Sequence, residues 1–87
     1  MTKEEIINRI TNNDYDVVVK NGEKHNVCPG TATHYSVGAI FSMSNSNDLW
    51  VVKQECICVN TENGLLDIDG SPFDIAKYAE LKEHNPK

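Results

Sequence analysis

A chain of 87 residues with a formal charge of -5, 39% hydrophobic and 24% charged side chains has material for one domain (1–87) and one modest core. Thirteen acidic residues stand against eight basic ones, and Arg9 is the single arginine. That balance excludes a nucleic-acid backbone as direct partner, because phosphate recognition needs clustered Lys and Arg; it suits docking on a protein with a basic surface. No apolar run is long enough to span a membrane, and the residues from Met1 to Glu5 lack the apolar segment of a secretory signal, so a cytoplasmic address is expected. Three cysteines, an odd number, argue against a disulfide framework.

The chain opens on a helix signal. Thr2 is a capping residue, Glu5 stands three positions on as the return half of a capping box, and Met1 can staple against Ile6. Ile6, Ile7 and Ile10 share a side, and Asn12-Asn13 suits the exit. The β-branched stretch from Tyr15 to Lys20 predicts a strand, and Asn21-Gly22 predicts a two-residue hairpin returning through Glu23 to Cys28 as a weak edge strand. Pro29-Gly30 ends it by turn chemistry.

The best patterned strand follows. Tyr35, Val37, Ala39, Phe41 and Met43 fall on one face; His34, Ser36, Gly38 and Ser42 fall on the other, with Ile40 out of pattern. After a loop of Asn45 to Asp48 comes Leu49 to Val59, which reads as one long central strand paired antiparallel with the preceding one. Pairing Ser44 with Leu49 places Met43 by Trp50, Phe41 by Val52, Ala39 by Gln54, Val37 by Cys56 and Tyr35 by Cys58. A slip by one would put Lys53 and Glu55 on the core face, so this register is expected. A second Asn-Gly turn, Asn63-Gly64, leads into a short strand from Leu65 to Asp69. A second helix is predicted from Ser71 as cap and Pro72 at its first position, with Asp74 near the positive end of the dipole and a fraying tail from Glu83. The predicted class is α+β: an antiparallel sheet of four to five strands with an N-terminal and a C-terminal helix.

Three chemical constellations invite attention. His25, Cys28, Cys56 and Cys58 are a legitimate ligand set for a small zinc-stabilised module, but Cys-x-Cys on a strand is a poor half-site, and alternate same-face cysteines suit small buried hydrophobes. Cys28 with His25 or His34 has the residue types of a thiol enzyme or a small ligand-binding domain, without any nucleophile signature around it. Asp67-x-Asp69-Gly70-Ser71 opens like a calcium loop, yet its twelfth position is Tyr78, so a strand end followed by a cap is the better reading. No metal, cofactor or catalytic activity is therefore expected. The outward face of the central hairpin, with Val51, Ile57, Val59 and Ile40, is too apolar for a solvated sheet face. It calls for a helix or a partner to cover it, a second copy of the chain included.

One stretch carries a resemblance. Ile7-x-x-Ile10-x-Asn12-x-Asp14-Tyr15-x-Val17 is similar to the start of small acidic phage-encoded anti-CRISPR proteins that inhibit a CRISPR nuclease; the likeness lies within residues 7–22 and ends there. It implies a phage or mobile-element inhibitor acting in the host cytoplasm, presenting carboxylates where the nuclease would hold DNA, with Asp14 the one matched acidic residue. Taken together, the expected function is non-catalytic protein–protein interaction, with Asp14, Asp16, Val51, Ile57, Val59, Asp67 and Asp69 as candidate partner-binding residues.

Overall fold

The computed structural model describes residues 2–43 and 46–86. Helix α1 (Lys3–Thr11) begins as the sequence predicts: the backbone N–H of Glu5 donates to Oγ1 of Thr2 at 3.2 Å. It ends at Asn12, and Asn13 takes the left-handed conformation at φ 60° that asparagine tolerates better than most residues. Ile6 and Ile10 are buried, and Met1 lies outside the described residues.

Among the described residues eight strands follow: β1 (Val17–Val19), β2 (Lys24–Asn26), β3 (Ala32–Tyr35), β4 (Ile40–Ser42), β5 (Leu49–Val52), β6 (Cys56–Thr61), β7 (Gly64–Leu66) and β8 (Ala79–Glu83), with a short helix α2 (Ile75–Tyr78) before the last. They form two mixed four-stranded sheets, ordered β1-β3-β6-β7 and β2-β4-β5-β8. The α+β class holds, but the single antiparallel sheet of four or five strands does not. β1 runs parallel to β3, and β2 runs parallel to β4.

The cause is a corner. Each of the two long strands read from the sequence bends in its middle and continues in the other sheet, the first between Tyr35 and Ile40 and the second between Val52 and Cys56. The bends are held together by backbone hydrogen bonds, with Gly38 N–H donating to Val52 O at 2.8 Å and Gly22 N–H donating to Gly38 O at 3.1 Å. Asn21-Gly22 is therefore a turn but not a hairpin: it carries β1 over the same corner into β2, so the flanking strands lie in different sheets. Strand pairs that switch sheets at a bend are a known way to fold a strongly twisted hairpin over its own core.

Across the bend the pairing is shifted by two residues from expectation. Tyr35 lies opposite Cys56, Thr33 opposite Cys58 and Phe41 opposite Trp50. A shift by two preserves parity, so the faces survive: Tyr35, Ala39, Phe41, Val52, Cys56 and Cys58 all point into the space between the sheets. Val37 does not. It sits on the bend and is 55% exposed. Ser44, half of the expected Ser44–Leu49 pair, lies outside the described residues.

The C-terminal third departs most from the prediction. The β6–β7 hairpin is present, with Thr61 opposite Gly64 across Glu62-Asn63, but β7 stops at Leu66. Asp69 then accepts from the Ser71 N–H at 2.9 Å and from its hydroxyl at 2.5 Å, which commits Ser71 to a turn rather than to capping a helix. Asp74 takes the cap instead, accepting from Ala76 N–H at 3.2 Å, and only one turn of α2 follows. The remainder of the predicted helix is β8, zipped to β5 with Ala79 opposite Val52 and Leu81 opposite Trp50. Its apolar residues were spread too widely for one helical face, whereas alternation puts Ala79 on the core. The tail is also anchored: Asp48 accepts from the Asn85 N–H at 2.8 Å and pairs with His84 Nδ1 at 2.9 Å.

The outward face of the first sheet is covered by α1. Ile6 and Ile10 pack on Ala32 and Val59, with Tyr15, Ile57 and Leu66 around them. A bridge at the helix exit secures this layer. Asp16 accepts from Arg9 Nη2 at 2.8 Å and from the buried Ala32 N–H at 2.7 Å, while Asp14 accepts from Arg9 Nε at 3.1 Å. The Arg9 guanidinium, then the Ala32 amide, hold the Asp16 carboxyl below the usual carboxylate range. The result is three layers: helix, sheet and sheet.

Candidate functional site

The cysteine and histidine constellation does not assemble. Among the described residues no three His, Cys, Asp or Glu side chains are placed to share a metal ion. His25, half-buried on β2, directs Nδ1 at the Tyr35 hydroxyl, 3.0 Å away. Burial raises the Tyr35 phenol and lowers the His25 imidazole, so the hydrogen bond joins two neutral groups. Cys28 is exposed and donates its thiol to Asn26 O at 3.2 Å. Cys56 and Cys58 are buried, as the face argument from the sequence requires.

Both buried thiols are pushed up to about 12, first by burial. For Cys56 the next causes are the negative charges of Asp67 and Glu55. Neither is a nucleophile near neutral pH, since the thiolate is the reactive form. Mass-spectrometric counting with a maleimide should find one fast thiol per native chain, Cys28, and three in denaturant. A second fast thiol in the native protein contradicts this placement.

A concavity lies elsewhere, on the flank of the first sheet, where β6 begins. It is an open cleft of about 520 Å³. One wall is a stacked pair, Tyr15 from the α1–β1 connection and His34 from β3, with ring centroids 5.2 Å apart and planes 25° from parallel. Glu55, at the bend before β6, sits beside them, and its Oε1 is 2.5 Å from His34 Nε2. Asp67, Ile68 and Tyr78 also line it. The Tyr78 hydroxyl donates to Asp67 Oδ2 at 2.6 Å, and that bond to a carboxylate holds the phenol up at about 12. Cys56 and Ile57 form part of the lining.

The two carboxylates belong to a one-signed stretch. Between Gln54 and Ala76 the charged side chains are Glu55, Glu62, Asp67, Asp69 and Asp74, and no Lys or Arg interrupts them. The lysines closest in sequence are not among the lining residues: Lys53 Nζ lies 4.0 Å from Glu80, and Lys77 Nζ lies 5.3 Å from the ring centroid of Tyr78, which does line the cleft. Water-filled concavities of one sign concentrate the field of their charges.

Of the candidate partner-binding residues, the structure brings only Ile57 and Asp67 into this cleft, with Asp69 in the turn just after it; His34 and Cys56, singled out for thiol or metal chemistry, also line it. Asp14 and Asp16 are committed to Arg9. Val59 is fully buried under α1 and offers no surface, and Val51 is half-buried on the second sheet opposite Ile40. Tyr15, Glu55 and Tyr78 were not anticipated. The uninterrupted run of acidic side chains is a signal that could have found Glu55; nothing in the sequence brings Tyr15 to the same place. In comparisons with known proteins, the chain matches no family model, no curated protein and no solved structure.

Proposed function

We propose that this chain is a small non-catalytic binding protein that docks through its acidic cleft flank on the basic surface of another protein. The observation that carries this reading is the cleft itself: two carboxylates from different segments facing one concavity, with no lysine or arginine among its lining residues. Cys56, the one thiol in the cleft lining, is buried and protonated near neutral pH, so it is no nucleophile there. With the likeness of residues 7–22 to phage anti-CRISPR proteins, the reading extends to a mobile-element inhibitor of a host defence or nucleic-acid-handling protein.

Tagged protein is passed over host-cell lysate at low ionic strength, and the captured complex is reconstituted from pure components. The expected result is a one-to-one complex that weakens steeply with added salt and is lost on Glu55→Lys with Asp67→Lys. A lysate that yields no salt-sensitive complex defeats the reading.

A further inference from the structure

Resting on that reading, we propose that the cleft is a receptor for one cationic side chain of the partner, an arginine, held between the Glu55 and Asp67 carboxylates. The chemistry of the walls divides as such a side chain requires. Ile57 and Ile68 provide apolar surface for the methylene stem, and the Glu55 and Asp67 carboxylates of the same lining are partners for the head. The stacked Tyr15–His34 wall adds a planar surface, which a guanidinium exploits and a compact ammonium does not.

The protein's own hydrogen bonds leave this capacity in place. Asp67 accepts from the Tyr78 hydroxyl through Oδ2 and from the Ile68 N–H through Oδ1, and both donors are neutral. They orient the carboxylate without cancelling its charge, and each carboxylate oxygen has a second lone pair to offer. Glu55 meets His34 through Oε1, so Oε2 remains as an acceptor on a side chain that is 67% exposed. Asp67, oriented by two donors, and the more exposed Glu55, held through one oxygen, line an open volume and leave acceptors for a cation.

The test is a nuclear magnetic resonance titration of ¹⁵N-labelled full-length protein with acetyl-Gly-Arg-Gly-amide, set against the same peptide carrying citrulline, which keeps the shape and removes the charge. Amide shifts should concentrate at Glu55, Ile57 and Ile68, and the citrulline peptide should bind about tenfold more weakly. Glu55→Gln with Asp67→Asn should abolish the shifts while leaving the rest of the spectrum unchanged. Equal response to both peptides, or shifts scattered over Asp48, Glu80 and Glu83, overturns the proposal. If the same double variant still forms the salt-sensitive complex, the binding role stands and the cleft is not its receptor. If neither peptide nor complex is found, both fall.

Discussion

Tyr35→Ala should bring the protein close to unfolding at room temperature. Tyr35 is fully buried between the sheets, its ring lies 4.8 Å from that of Phe41, and its hydroxyl meets His25 Nδ1 at 3.0 Å. Truncating a buried aromatic side chain costs about 3–5 kcal/mol through lost transfer energy and the cavity left behind. A domain of this length has roughly 4–13 kcal/mol in total, so the loss is a large share of it. The urea midpoint should fall by about 2–3 M. Tyr35→Phe separates the ring from the hydroxyl: it keeps the packing and removes the hydrogen bond to His25, at a cost of about 1 kcal/mol because the half-buried imidazole can turn to water. Equal losses for the two variants would place the importance in the hydrogen bond, contrary to this account.

Gly38→Ala should cost about 2–3 kcal/mol although it adds a single methyl group. Two independent causes act at this position. The backbone holds φ at +91°, a region where a side chain is strained, and a Cβ built there would lie 2.1 Å from Oδ1 and 3.3 Å from Cβ of Asn21. The corner cannot relax easily, since Gly38 donates to Val52 O and accepts from Gly22 N–H. The causes can be told apart. Asn21→Ala alone, at an exposed turn, should be nearly silent, whereas combined with Gly38→Ala it should recover the overlap share and leave the φ strain. A double variant no better than Gly38→Ala would assign the whole cost to φ. A Gly38→Ala protein as stable as the parent would mean that the two bends do not meet as described.

These two positions also divide what could be read from the chain. The face assignment of Tyr35, Ala39, Phe41, Val52, Cys56 and Cys58 follows from period-two alternation, and it survives a register error of two because strand parity is unchanged. The start of α1 is equally local: Thr2 caps it through a bond spanning three residues. Ser71 and Pro72 show the limit of local signals. They satisfy the pattern of a helix start, but the Asp69 carboxylate reaches Ser71 first, and β5 offers β8 an unpaired edge along which the chain gains a ladder of hydrogen bonds. Propensity is worth tenths of a kcal/mol per residue, so a partner strand overrides it.

The sequence by itself determined the core face of the central strands apart from Val37, where α1 begins and ends, the α+β class, and the acidic balance. Those properties depend on residues close together along the chain or on simple sums. Only the tertiary structure decided that both long strands bend, that two sheets form in place of one, and that α1 covers Ile57 and Val59. It also decided that Tyr15, His34, Glu55, Asp67 and Tyr78 share a cleft. These depend on pairings between segments tens of residues apart, chosen by how fully the assembled chain can satisfy its backbone and bury its apolar surface.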